Sequence, residues 1–194
     1  AKTLFPYTTL FRSIYYSPHI QTTIKDWSTT SGIKGVINGN WSWDLSNTTG
    51  KNDYRFMGDK TFNASLGANQ THFDDGGFSY LQNTTNLNFS RAFFDNVNLG
   101  LGAEYRYENY QIVAGEKASY HNYDITGEKA SGSQGFPGFQ PADQVNASRN
   151  VMGLYADVEF DATNKLLLNL AARLESYSDF GFTHNYKVAM RYKV

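Results

Sequence analysis

The chain has 194 residues, a formal net charge of -1 and no cysteine, which excludes a disulfide scaffold, a thiolate zinc site and a thiol nucleophile. Aromatic residues make up 16% and charged residues only 18%, with 14 Tyr and 14 Phe, a mixture rich in strand formers and poor in the residues that fill soluble helices. The balanced charge points to no nucleic-acid partner. No run of about 18 apolar residues exists, so no transmembrane helix is expected; the mean hydropathy of -0.52 does not argue against membrane strands, whose two faces average out as polar.

Residues 1–13, AKTLFPYTTLFRS, lack the basic end, apolar stretch and cleavage site of a signal peptide. They resemble a translated sequencing-adapter remnant, so they are expected to be non-native, with 14–194 the folded part of an N-terminally truncated chain. Ser13–Trp27 is read as the first strand. Trp41, Trp43 and Leu45 then alternate with Ser42, Asp44 and Ser46, and tryptophans on an apolar face fit a membrane-interface belt. Residues 47–77 read as a long loop. Phe78–Arg91 reads as a strand, followed by a tight turn near Phe94–Asn96.

The clearest element is Val97–Val113. Val97, Leu99, Leu101, Ala103, Tyr105 and Tyr107 fall on one face, and Asn98, Gly100, Gly102, Glu104, Arg106 and Glu108 on the other. This period of two persists beyond the five or six residues of an average soluble strand and covers the roughly 9–11 residues a tilted strand needs to cross a bilayer. A second long loop is expected at 114–150. Met152, Leu154, Ala156, Val158 and Phe160 begin a meander of three strands. Leu166, Leu168, Leu170, Ala172 and Leu174 follow a turn at 161–165. Phe182, Tyr186, Val188, Met190, Tyr192 and Val194 follow a turn at 177–181.

Charge is confined to one face. Glu104, Arg106, Glu108, Arg173, Glu175, Lys187 and Arg191 are expected to line the barrel lumen, with Arg173 and Glu175 opposite Lys187 and Arg191 across a hairpin; lysine or arginine on the lipid side costs about 2–4 kcal/mol at mid-bilayer. Arg106 between Glu104 and Glu108 points to charge compensation rather than paired acid–base chemistry. Gly100 and Gly102 are expected to leave room for something packed inside the barrel. Asp74-Asp75-Gly76-Gly77 reads as a turn. Asp179-Phe180-Gly181 reads as hairpin-turn chemistry, without the other kinase motifs. His19, His72, His121 and His184 are scattered without ligand spacing, so no metal site, no cofactor and no enzyme activity are expected.

Asn63-Ala-Ser-Leu-Gly-Ala, GGFSYLQNTTNLNFSR (76–91), LGLGAEYRYENYQIVAGEKASY (99–120) and NLAARLESYSDFGFTHNYKVAMRYKV (169–194) together resemble the barrel domain of TonB-dependent outer-membrane receptors, of the Bacteroidetes type, over most of residues 35–194. The resemblance implies an all-β, antiparallel, up-and-down transmembrane barrel of 22 strands plugged by an N-terminal domain. Such receptors import a siderophore, haem, cobalamin or an oligosaccharide with energy passed through TonB. No plug and no TonB-contacting segment is visible, and Val194 stands where these barrels usually end in an aromatic. An internal piece of about seven strands is therefore expected, with outer-membrane lipid, its own plug and the TonB complex as partners. Tyr110, Tyr120, Tyr123, Phe136 and Phe139 are the candidate ligand contacts, because aromatic rings supply contact area. A passive porin-like barrel and a soluble carbohydrate-binding β-sandwich are the alternatives; the sandwich would bury Leu99, Leu101, Leu168 and Leu170 in a shared core.

Overall fold

The computed structural model describes residues 17–67 and 70–194. The expectations for residues 1–13 lie outside the described residues. Seven strands form one sheet whose spatial order follows the sequence: β1 His19–Ile37, β2 Trp41–Asp59, β3 His72–Phe93, β4 Val97–Val113, β5 Val145–Thr163, β6 Leu166–Tyr177 and β7 Gly181–Tyr192. Each strand joins its neighbour antiparallel, as an up-and-down meander requires. The expected β4 and the turn at 94–96 are present, and the turns expected at 161–165 and 177–181 are tighter, at 164–165 and 178–180.

Several boundaries differ from expectation: β3 starts at His72 rather than Phe78, and β5 starts at Val145, so the loop expected at 114–150 ends at 144. The first strand begins at His19 and runs to Ile37, past Trp27, and closes on a hairpin whose Asn38 and Gly39 have φ of 50° and 70°. Positive φ at both central residues matches the twist of antiparallel strands. β2 runs on to Asp59, so the loop expected from residue 47 is confined to 60–71. The segment 46–53 carries polar residues on both faces, so it shows no apolar periodicity even though its backbone pairs. The Asp74–Gly77 segment is not a turn. It lies within β3, where Gly76 at φ 89° makes a bulge-like irregularity.

The burial pattern is inverted relative to a soluble protein. Among the described residues only Phe73 and Val151 are buried hydrophobics, whereas Glu108, Asn169 and Glu175 are buried. Met152, Leu154, Leu170, Phe182, Val188 and Met190 are exposed. The register explains the sorting. Leu154 faces Leu174, Val158 faces Leu170 and Phe160 faces Leu168, while Tyr155 faces Arg173 and Glu159 faces Asn169. On β7, Leu168 faces Met190 and Leu170 faces Val188. A sandwich would bury the leucine face against a second sheet; Leu101 and Leu170 remain exposed.

The described residues divide into two compact units: 17–27, 51–67, 70–80 and 110–147 in the first, and 28–50, 81–109 and 148–194 in the second. In the second, the space over Gly100 and Gly102 is filled by the chain itself. A Cβ on Gly102 would fall 2.2 Å from the Tyr155 ring. That ring reaches across β4 from β5, and its hydroxyl donates to Asn88 Oδ1 on β3 at 2.7 Å.

Candidate ligand-binding site

In the first unit the loop 114–144 is fastened onto the sheet by its backbone. Glu116 N–H donates to Asp74 O at 2.8 Å, Phe139 N–H to Asp75 O at 2.9 Å and Gly115 N–H to Phe139 O at 2.9 Å. The loop also closes on itself through Ser119 O, which accepts from Ser133 N–H at 2.9 Å and Gly138 N–H at 3.0 Å. Gln134 N–H reaches Phe62 O at 3.0 Å, which ties this loop to the 60–71 connection.

Buried side chains complete the fastening. Asn63 Nδ2 donates to the carbonyls of Ala118 at 2.8 Å and His121 at 2.9 Å. Ser133 Oγ lies 3.0 Å from Asp75 Oδ1 and 2.5 Å from Phe136 O. Asn63, Asp75, Ser119 and Ser133 are each at most 1% exposed. Hydrogen bonds of this kind between buried groups fix a unique arrangement, and removing one partner leaves another stranded; Asp75 itself is bonded through Oδ1, while its Oδ2 is buried without a partner. At the loop tip, the hydroxyl of Thr126 and the backbone N–H of Lys129 hydrogen-bond Asp124 and hold its carboxyl below the usual aspartate range.

The loop thereby delivers two phenyl rings to the sheet. Phe139 lies 5.2 Å from Phe78, and Phe136 lies 5.2 Å from Phe56, centroid to centroid. Phe56 meets Phe78 edge-on at 5.6 Å, Tyr54 meets Phe56 at 4.9 Å, and Tyr110 stacks on Phe78 at 6.1 Å. These spacings lie in the range that aromatic pairs prefer. The rings are only partly covered, and Tyr110 is 40% exposed. The result is a shelf of six aromatic side chains on strands β2, β3 and β4 and one pinned loop.

Three of the five candidate ligand contacts meet in this shelf: Tyr110, Phe136 and Phe139. Tyr120 and Tyr123 do not. Tyr123 packs against His121 at 4.8 Å and under the Lys117 ammonium at 5.9 Å, and Tyr120 ends the short helix Lys117–Tyr120. Tyr54, Phe56 and Phe78 are additions. Tyr54 and Phe56 alternate with Asp53, Arg55 and Met57 in the sequence, a period-two signal inside the stretch read as loop.

The second unit holds the charged residues. Arg106 pairs with Glu104 at 2.9 Å and with Glu108 at 2.9 Å. Arg149 pairs with Glu108 and, at 3.8 Å, with Asp179. Arg173 joins Glu104 at 3.0 Å and Glu175 at 2.9 Å. Glu104, Arg106, Glu108, Arg173 and Glu175 therefore form one ladder of alternating sign, with Arg149 as the member the sequence reading did not single out. Lys187 and Arg191 are not opposite Arg173 and Glu175. The tight 178–180 turn sets the register so that Asn185 faces Arg173 and Thr183 faces Glu175. Lys187 faces Ala171 and Arg191 faces Leu167. Lys187 still shares a cavity of about 610 Å³ with Glu104, Tyr155, Asp157 and Arg173. Among the described residues, no group of three or more His, Asp or Glu is placed to hold a metal ion.

The family profile described as TonB dependent receptor-like, beta-barrel, matches residues 3–194. No match is found among curated proteins. A solved structure titled "Structure of the RagAB peptide transporter" has a similar fold, with a TM-score of 0.54 at 11% sequence identity. That likeness covers 88% of this chain and 20% of the other, so the chain spans about a fifth of that protein's length. TonB-dependent receptor barrels are a family of receptors and transporters of the Gram-negative outer membrane, which imply a plug, TonB and a ligand as partners in general, and an antiparallel sheet with inverted burial is what a piece of such a wall requires. The chain belongs to the TonB-dependent receptor β-barrel family.

Proposed function

We propose that this chain is wall and loop of an outer-membrane receptor that captures a scarce ligand at the aromatic shelf and passes it to the periplasm with energy delivered through TonB. The observation that carries the reading is the shelf itself. Phe56, Phe78, Tyr110, Phe136 and Phe139 remain partly uncovered although a loop with buried polar anchors holds two of them in place. A rigid set of rings binds at low entropic cost, because little is ordered when the ligand arrives. In this reading Glu104, Arg106, Glu108, Arg173, Glu175, Lys187 and Arg191 line the lumen and meet the plug, and the leucine-rich face meets lipid.

The shelf has no charged member, so it fits a ligand that presents apolar or ring faces: a pyranose, a macrocycle such as haem or cobalamin, or apolar side chains. The likeness in fold to a protein titled as a peptide transporter adds peptides to the candidates. Uptake of labelled haem, cobalamin, ferric siderophores, oligosaccharides and peptides by cells carrying the protein tests the reading. One class is expected to enter, to stop when the proton gradient is collapsed, and to lose at least tenfold in binding with Phe139→Ala, as loss of a central aromatic anchor does. Uptake that continues without the gradient would favour a passive pore.

A further inference from the structure

Asp75 stands where loop 114–144 meets the sheet, and it is fully buried. β3 has 22 residues, about twice what a tilted bilayer crossing takes, and Asp75 lies at its loop end, clear of the crossing part. The loop itself provides the cover. A Cβ on Gly138 would fall 3.1 Å from Asp75 Cα and 2.0 Å from Ser119 Oγ, so the loop backbone rests directly on the strand. Phe139 N–H adds its bond to Asp75 O at 2.9 Å. Lifting the loop therefore exposes the carboxyl to water.

The hydrogen bonds around this carboxyl are one proton short unless it carries its own. The Ser133 hydroxyl has a single proton and two acceptors within reach, Phe136 O at 2.5 Å and Asp75 Oδ1 at 3.0 Å. A carbonyl cannot donate, so the shorter contact takes that proton, and the contact with Asp75 needs one from the carboxyl. Asp75 Oδ2 is buried without a partner, which a neutral acid tolerates far better than a carboxylate. No cation compensates. Among the described residues no ion pair reaches Asp75; Asp74 holds Arg55, and Asp59 meets the His72 ring at 2.6 Å. Burial, helped by the negative charges of Asp74 and Glu116, pushes the Asp75 carboxyl up to about 6.

We propose that Asp75, Ser133 and the Phe136 carbonyl form a protonated clasp that fastens loop 114–144 tightly in mild acid and loosens it toward neutral pH. The docked loop binds the Asp75 proton more strongly than the lifted loop, in which the carboxyl returns to the ordinary aspartate value. Between about pH 4 and pH 6 the docked form therefore holds more proton. The contribution of the clasp is complete below about pH 4 and is lost as pH rises through about 6. Phe136 and Phe139 move with the loop, so the shelf is firmest in acid; that consequence alone rests on the ligand reading.

Amide hydrogen exchange on the intact protein in vesicles, with no ligand added, tests the clasp by itself. Protection factors at Gly115, Glu116, Ser133, Gly138 and Phe139, with the intrinsic pH dependence divided out, are expected to fall about tenfold from pH 5 to pH 7.5. The tip at 122–129 is held by Asp124 and should not follow. Asp75→Asn, whose amide donates to Ser133 Oγ as the acid does, is expected to abolish the pH dependence. Should that variant fail to fold, Glu116→Gln keeps an acceptor for Asp74 N–H and removes a neighbouring negative charge, so it is expected to move the midpoint to lower pH. Wild-type protection that stays flat across this range overturns the proposal. So does a dependence that survives in Asp75→Asn, which would belong to His72, or a midpoint that Glu116→Gln leaves in place.

Discussion

The two units of this chain solve opposite problems with the same β-structure. In the second, strands β4 to β7 sort every other residue by polarity, with leucines and aromatics to one side and the Glu104–Arg106–Glu108–Arg149–Arg173–Glu175 ladder to the other. In the first, polarity does not alternate cleanly, and order comes from a loop fastened by backbone bonds and by Asn63, Asp75 and Ser133. In the proposed reading the second unit's apolar face meets hydrocarbon, where a charge on the wrong side is costly, so the pattern itself specifies the strand. The first unit lacks that pattern and specifies itself through named hydrogen bonds.

That contrast can be broken at points of decreasing consequence. The largest effect belongs to Leu101→Arg, which places a charge on the apolar face. It should cost about 2–4 kcal/mol of folding into vesicles, read as the fraction of heat-modifiable band on gels, while Asn98→Arg on the neighbouring face stays within about 0.5 kcal/mol. Gly102→Val comes next. The new side chain enters the Tyr155 ring and breaks its bond to Asn88, for a loss of about 1–3 kcal/mol that a second change, Tyr155→Ala, should partly restore. In the first unit, Ser133→Ala should cost about 1 kcal/mol and show up locally, as faster amide exchange across 114–144 with β5–β7 unchanged.

The smallest effect is one of pH. The folded-state pKa of Asp124 is depressed by its hydrogen bonds to Thr126 and Lys129. Its contribution is therefore present above the unfolded value and lost only as pH falls through the lowered folded one. The protection factors of the 122–129 amides, with the intrinsic pH dependence of exchange divided out, should be the same at pH 7 and pH 5 and should fall only below about pH 4.

The same contrast explains what could be read from residues alone. β4 and the last two hairpins were legible because their period-two pattern has one apolar face, and the charged ladder followed from that pattern. The loop-side halves of β2 and β3 were not, because Ser46–Asp53 carries no apolar face to reveal the pleat. For the shelf, the sequence named Tyr110, Phe136 and Phe139 as aromatics near loops, without showing that they meet. Their meeting depends on Phe139 N–H reaching Asp75 O and on Ser133 reaching Asp75, contacts that link residues far apart in the chain. Tyr120 and Tyr123 had equal standing by composition and were separated only by the path of the loop. The occupant of the space over Gly102 was also hidden, since nothing in Tyr155 itself reveals that it crosses a strand.

The central claim is that alternate side chains of β4 and β6 face hydrocarbon and an aqueous interior. The chain has no native cysteine, so single cysteines can be placed in turn along Val97–Tyr107 and Leu166–Leu174. Spin labels attached to them, with the protein in outer-membrane vesicles, report contact with lipid-soluble oxygen or with a water-soluble nickel chelate. Oxygen contact should peak at Leu99, Leu101, Leu168 and Leu170, and chelate contact at Asn98, Glu104, Asn169 and Arg173, with a period of two. Uniform chelate access along both strands, or oxygen contact at Glu104 and Arg173, would contradict it.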